Sequence, residues 1–245
     1  MYKHFIVIAD SYKKGSRIAY KETSLSTDRG LLIKITNISD TLKNNNITSY
    51  STHLIDTEGS SWQSIIDSDP FFKDILILNN IEDFIADYQD EVTSADIAEY
   101  IAERFSLTAL PLMKLVYFVY SDFLADYKRP LFENNFVAFK YGPVDTGLWE
   151  KYKFNYRSKI EPVFKSDNNS ISPVISKLIK VGEYEHVKSI LDSITKDKRT
   201  IEDSYFLKNL THESDTPWIM SYDEHQNNKI TDDMIYKYHA HERVY

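Results

Sequence analysis

The residues with the greatest potential for chemistry are the seven histidines and the carboxylates beside them. His239 and His241 stand two positions apart, whereas zinc ligands on one helix are commonly three or four positions apart so that they converge. This spacing places the two imidazoles on different faces of a helix. We therefore expect no metal site, and nothing in the sequence calls for another cofactor.

A second candidate is Thr211-His212-Glu213, with Asp215 close behind it. His212 beside a carboxylate is the arrangement of a general base, and it would suit a hydrolase or a transferase. The alternative is structural, because a histidine at the C-terminus of a helix interacts favourably with the helix dipole and with the last carbonyl groups. The chain has no cysteine and no serine in a nucleophile-elbow context, so we favour the structural interpretation and expect no catalytic residues.

Composition narrows the classes of partner. The net charge of −8 argues against the basic surface that nucleic-acid binding requires, and the six glycines form no phosphate-binding loop. No apolar run approaches the roughly 18 residues of a membrane helix. A chain without cysteine suits a reducing compartment. These features predict a cytoplasmic protein with neither a membrane nor a nucleic acid as partner.

One segment, residues 82–103, is strongly acidic and contains no Lys or Arg. Its acidic residues are Glu82, Asp83, Asp87, Asp90, Glu91, Asp96, Glu99 and Glu103. Such a run is compatible with a solvated face that aids solubility. We favour this interpretation, and the alternative is a surface that attracts a basic partner protein.

The sequence predicts mainly strands in the first 80 residues and mainly helices in the rest of the chain. Four apolar runs near the N-terminus have the length and composition of strands: 2–9, 17–21, 31–36 and 47–55. Ser61 ahead of Trp62 predicts a short capped helix. Residues 1–80 are therefore expected to form a small mixed α/β accessory domain.

From residue 81 the apolar spacing changes from two to between three and four, which predicts helices. Thr93 and Asp96 have capping-box spacing at the start of one helix. Pro111 suits the first turn of the next, whose apolar stripe leaves Tyr117 and Tyr120 on its flanks. Further helical patterns cover 81–88, 183–195, 200–210 and 230–239, and a short hairpin is predicted from 160–165 and the turn at 167–170. The predicted class is α+β, with a mainly helical domain at 81–245.

Turn residues and tryptophan concentrate in "NNFVAFKYGPVDTGLWEKY", residues 134–152. Gly142-Pro143 predicts a sharp turn after an extended segment, and Asp145 can cap a helix that bears Trp149. One interpretation is a corner that defines the fold. The other is a set of partly exposed rings that anchor a partner, with Phe139, Tyr141, Trp149 and Tyr152 as the candidates.

Three segments in order resemble the Panacea antitoxin domain, also described as a phage-associated GepA-like domain. They are "SADIAEYIAERF" (94–105), "LMKLVYFVYSDFLADYKRPLFENNFVAFKYGPVDTGLWEKY" (112–152) and "LTHESDTPW" (210–218). Together they extend over roughly residues 92–240. The positions that carry the family motifs, and that we expect to define the fold, are Lys114, Leu115, Gly142, Pro143, His212 and Trp218.

The resemblance implies a non-enzymatic antitoxin that neutralises a cognate protein toxin by direct binding, either by masking it or by delivering it to a protease. Because members of the family pair with very different toxins, the resemblance does not name the toxin or the stoichiometry. An alternative that the resemblance leaves open is a phage or mobile-element protein that inhibits another host protein.

Overall fold

A computed structural model describes residues 1–11, 14–45, 47–155, 158–164 and 171–244. The chain divides into two compact units, Met1–Asp90 and Glu91–Tyr245. The first unit is a mixed α/β sheet structure and the second is mainly helical, so the predicted α+β class is confirmed. Among the described residues, no helix has both the length and the apolar character needed to cross a membrane.

The first unit is built on a four-stranded sheet of order β3-β1-β2-β4. The strands are β1 (Tyr2–Ser11), β2 (Ser16–Leu25), β3 (Ser51–Thr57) and β4 (Leu76–Leu78), and the helices are α1 (Leu31–Asn44), α2 (Trp62–Ser68), a 3-10 turn (Pro70–Phe72) and α3 (Ile81–Tyr88). Helices α1 and α3 cover one face of the sheet, whereas α2 and the 3-10 turn cover the other. Because α3 buries Phe84 and Tyr88 against this sheet, α3 belongs to the first unit, and the chain divides after Asp90.

The prediction of a strand at 31–36 is wrong, because these residues begin α1. Leu31, Ile38 and Leu42 are buried, and their spacing of seven and four follows one face of a helix. The β-branched residues in 33–36 favoured a strand locally, but packing against the sheet decided the conformation. The short helix after Ser61 is confirmed, and the Ser61 side chain accepts a hydrogen bond from the Ser64 amide.

The second unit surrounds a central helix, α5 (Ala109–Tyr127). Around it lie α4 (Ser94–Arg104), a hairpin of β5 (Phe136–Phe139) and β6 (Gly142–Asp145), α6 (Thr146–Tyr152), α7 (Pro173–Lys180), α8 (Tyr184–Ile194), α9 (Arg199–Glu202), α10 (Phe206–Thr211), α11 (Pro217–Ser221), α12 (Asp232–Tyr238) and a 3-10 turn (His239–His241). Fifteen of the residues of α5 are buried. Tyr117 and Tyr120 are fully buried rather than flanking, so α5 is enclosed on all sides.

Local signals set several ends of these elements. Thr93 and Asp96 form the predicted capping box at the start of α4, and Asp145 caps α6 through the Leu148 amide at 2.9 Å. The helix predicted at 200–210 is instead two short helices, because Asp203 is extended and its side chain accepts from the Tyr205 amide. The hairpin predicted at 160–170 falls partly on residues outside those described, and the hairpin that is described lies at 136–145.

Candidate functional site

The separated sequence motifs meet where the β5–β6 hairpin packs on α5 and α10. Gly142 has φ +97°, a conformation that residues with a side chain rarely adopt. A Cβ atom at this position would lie 2.7 Å from Thr211 Oγ1 and 3.0 Å from Lys114 Cε. The glycine is therefore required both by its torsion angle and by the close approach of two side chains from other elements.

Lys114 is fully buried within this junction. Its ammonium group donates a hydrogen bond to the carbonyl oxygen of Pro143. Burial lowers the pKa of Lys114 to about 7, against the opposing influence of the Glu242 charge. Because the amine has no access to solvent, its role is to hold the Gly142-Pro143 turn on α5 rather than to react with a substrate.

His212 and Trp218 close the other side of the junction. Their rings stack with centroids 3.7 Å apart, and Trp218 Nε1 donates to the Phe139 carbonyl oxygen at 2.8 Å. His212 Nδ1 lies 2.7 Å from the Lys208 carbonyl oxygen, and Nε2 lies 3.3 Å from that of Lys140. Burial lowers the pKa of His212, which favours the neutral ring.

This geometry argues against His212 as a general base. The neutral ring carries one N–H and donates it to one of these two carbonyl groups, and neither Glu213 nor Asp215 is among the partners of the ring. A base must instead reach a proton of the substrate. Through these contacts the His212 ring links the end of α10 to Lys140 in the β5–β6 turn.

The four candidate contact residues differ in exposure. Tyr141 is 56% exposed, whereas Tyr152 is only 6% exposed and packs into the core. Phe139 and Trp149 are half-buried, with their ring centroids 5.3 Å apart in an edge-to-face contact. Tyr141 is therefore the one ring of the four that is presented largely to solvent.

Comparison with known families identifies this part of the chain. Residues 112–219 match the family model described as antitoxin SocA-like, Panacea domain. By this match, residues 112–219 are similar to a Panacea domain, and we refer to them below by that name. It runs from α5 to α11 and contains Lys114, Gly142, His212 and Trp218, so the predicted resemblance is confirmed over these residues. Searches of curated proteins and of solved structures found no match to the chain.

A buried polar network joins the Panacea domain to the C-terminal residues and was missed by sequence reasoning. His239 is 1% exposed and contacts Glu242 through Nδ1 and Asp122 through Nε2, each at 2.9 Å. Tyr117 donates to Glu242 at 2.6 Å, and Arg243 lies 2.7 Å from Asp122. The network joins the C-terminal segment to α5 across more than 100 residues of sequence, and that separation hides it from pattern analysis.

The charge of His239 decides the character of this network. Burial by itself would lower the pKa of His239, but its hydrogen bonds with Asp122 and Glu242 prevail and raise the pKa to about 9. The ring is an imidazolium at neutral pH and donates to both carboxylates. No group of three or more metal-ligating side chains was found in the described ranges, and His241 contributes to none.

Several side chains of the acidic segment form ion pairs or hydrogen bonds within the protein. Asp87 lies 3.4 Å from Lys14, Asp96 lies 2.8 Å from Lys177, and Glu99 accepts from the Val163 amide. Burial raises the pKa of Glu103. Asp83 also accepts a hydrogen bond from Asn80, so at least five of the eight acidic side chains are engaged or buried, and local structure explains the run better than attraction of a basic partner.

A pH-dependent contribution of Lys114 to stability is expected. Its pKa is about 7 in the folded protein and about 10.5 when unfolded, so the unfolded state binds more protons between these values. The free energy of unfolding therefore gains roughly 1.4 kcal/mol per pH unit from this group between pH 7 and 9. Lys114→Met, which keeps an unbranched side chain, should lose that gain in urea titrations. The exposed-site variant Lys140→Met should follow the wild-type pH dependence, and identical curves for Lys114→Met and wild type would contradict the assignment.

Proposed function

We propose that the protein is a cytoplasmic antitoxin that neutralises a cognate protein toxin by direct binding, without catalysis. The Panacea domain at 112–219 is the observation that carries the proposal, because this family is described as antitoxin-like. The lack of cysteine agrees with a reducing compartment. The placement of His212 between the Trp218 ring and two backbone carbonyl groups further supports a binding role rather than hydrolysis.

The proposed contact surface centres on Tyr141. The backbone on either side of this residue is fixed, since the carbonyl groups of Phe139 and Lys140 face Trp218 and His212 and Gly142 is packed against Lys114. A ring presented on such a fixed backbone loses little conformational entropy on binding, and tyrosine is enriched among residues that dominate binding energy.

Because Trp218 of α11 bonds to the Phe139 carbonyl oxygen, we propose that the exposed apolar side chains that follow Trp218 extend this surface. Ile219 and Met220 follow Trp218 in α11 and are 40% and 47% exposed. Phe139 lies two residues before Tyr141, and its ring contacts that of Trp149. We define the Tyr141 surface as Phe139, Tyr141, Trp149, Ile219 and Met220. Its apolar centre is the composition expected at the core of a protein interface.

The function is tested by co-expressing the protein with the product of the adjacent gene. Growth rescue together with co-purification of the two chains is the expected result. Loss of the second protein without recovery of a complex would indicate delivery to a protease instead of masking. Growth arrest that the protein does not relieve, or the absence of toxicity from that gene product, would contradict the proposal.

Tyr141→Asp should abolish most of the binding without unfolding the protein. Loss of a dominant interface residue costs about 2 kcal/mol or more, which is roughly a 30-fold loss of affinity. The matched control is Tyr236→Asp, because Tyr236 is also exposed, at 55%. Its ring contacts Lys128 just after the end of α5, whereas Gly142, next to Tyr141, packs against Lys114. Lys114 and Lys128 are 14 residues apart, which is about 21 Å along a helix. Calorimetric titration of both variants with the purified partner measures the difference. Equal affinities for the two variants would contradict a role for Tyr141.

We further propose that residues 1–80, with α3, form an accessory domain that contributes to the choice of partner. This part of the chain lies entirely outside the matched segment 112–219. Hydrogen exchange of the complex tests this proposal, because amides of residues 1–90 that contact the partner should exchange more slowly than in the free protein.

A further inference from the structure

The sheet of the first unit ends in an edge strand with few of the usual protections against pairing with another chain. β3 is seven residues long, whereas the opposite edge strand, β4, has three. The pairing of β3 with β1 is continuous from Ser51–Ile8 to Thr57–Tyr2, and it therefore contains no bulge. Its sequence, STHLIDT, has no proline, lysine or arginine. Proteins commonly use short strands, bulges and these residues to shield a sheet edge.

The outer backbone of β3 offers a row of hydrogen-bonding groups. In an antiparallel pair, every second residue directs its N–H and C=O away from the neighbouring strand. Across the described parts of the chain, no second strand pairs with this edge, and no other backbone group bonds to it. These groups are available to a strand from outside the chain.

The side chains add an apolar centre to this edge. Leu54, the middle residue of β3, is 57% exposed. Thr52 and Asp56 lie two positions on either side, share its face of the sheet and are also exposed. Asp56 is the only acidic residue of the strand, and it lies 3.9 Å from Lys3 on β1. The strand therefore presents one exposed leucine between two small polar groups.

We propose that β3 pairs antiparallel with β3 of a second copy of the chain, about a two-fold axis through Leu54. In this register the two Leu54 side chains oppose each other, and Thr52 opposes Asp56 of the other copy. A hydroxyl group thus faces a carboxylate at both ends, and no like charges are opposed. Because a two-fold contact uses the same surface on both copies, assembly stops at a dimer in which two four-stranded sheets become continuous.

Sedimentation over a wide concentration range tests the proposal on the full-length protein. Each chain carries a net charge of −8, so the measurement is made at about 0.15 M salt, where the screening length is about 8 Å. A reversible dimer is expected. A protein that remains monomeric at all concentrations would overturn the proposal, and would leave the β3 edge to a strand of a different protein.

Leu54→Lys identifies the surface. The substitution sets two ammonium groups opposite each other at the axis, and we expect the dimer to weaken at least about tenfold. Leu76→Lys is the matched control, because Leu76 lies on the short edge strand β4 and is 43% exposed. Circular dichroism verifies that both variants fold. A dimer that Leu54→Lys leaves unchanged would overturn the proposal.

Hydrogen exchange of the wild-type protein supplies a readout that needs no variant. Concentrating the protein should slow exchange at alternate amides of β3, since only the outward-facing N–H groups gain partners. The amides of β4 should exchange at the same rate in dilute and concentrated samples. A dimer in which the β3 amides gain no protection would show that another surface mediates it.

Discussion

Gly142→Ala is expected to destabilise the second unit by roughly 3 kcal/mol. Two effects add. A residue with a side chain at φ +97° costs about 1–2 kcal/mol, and forcing extra volume into a packed site costs about 1–3 kcal/mol more. The new methyl group would meet Thr211 and the buried stem of Lys114, neither of which lies at a free surface. Urea denaturation followed by far-UV circular dichroism measures the loss.

Gly182→Ala separates the two effects. Gly182 follows α7 with φ +81°, but a Cβ atom there would have no neighbour within 4 Å. Only the torsional cost applies, so we expect a loss of about 1–2 kcal/mol. If Gly142→Ala costs no more than Gly182→Ala, the close packing of the motif junction is not important for stability.

His239→Gln is expected to cost about 3–5 kcal/mol at pH 7. Removing one partner from a buried ion pair leaves an uncompensated charge, and here two carboxylates, Asp122 and Glu242, would lose the imidazolium between them. One oxygen of Glu242 is already buried without a hydrogen-bond partner among the described residues. The network therefore has little capacity to compensate for the loss.

The cost of His239→Gln should fall as the pH rises. The folded-state pKa of about 9 exceeds the unfolded value of about 6.5, so the contribution of His239 is complete below pH 6.5 and is lost through pH 9. His186→Gln is the control, because His186 also contacts a carboxylate, Glu183, at 3.0 Å but is 40% exposed. We expect that variant to cost less than about 1 kcal/mol. Equal costs for the two variants, or a cost of His239→Gln that rises with pH, would contradict the assigned charge.

Local chemistry made much of the fold predictable. Ser61, Thr93 and Asp145 each predict the start of a helix. The side chain of such a capping residue accepts a hydrogen bond from the backbone amide three residues later, so the signal is local in sequence. The strand prediction at 31–36 was wrong because six residues span fewer than two helical turns. The helical spacing of buried residues is visible only when Ile38 and Leu42 are included with Leu31.

The candidate site was only partly predictable, since its members come from distant parts of the chain. The motifs indicated that Lys114, Gly142 and His212 define the fold, but not that a Cβ on Gly142 would touch both Lys114 and Thr211. His239 was considered only as a metal ligand with His241. Its actual partner, Asp122, lies 117 residues away, and no spacing rule connects the two.

The central claim is that the Panacea domain binds its partner through the Tyr141 surface. Hydrogen exchange of the purified complex, compared with the free protein, tests this most directly. We expect slower exchange in the β5–β6 turn around Tyr141 and in α11, and added protection within residues 1–90 would support the accessory role of the first unit. Protection confined to residues 1–90, with unchanged exchange around Tyr141 and α11, would contradict the claim.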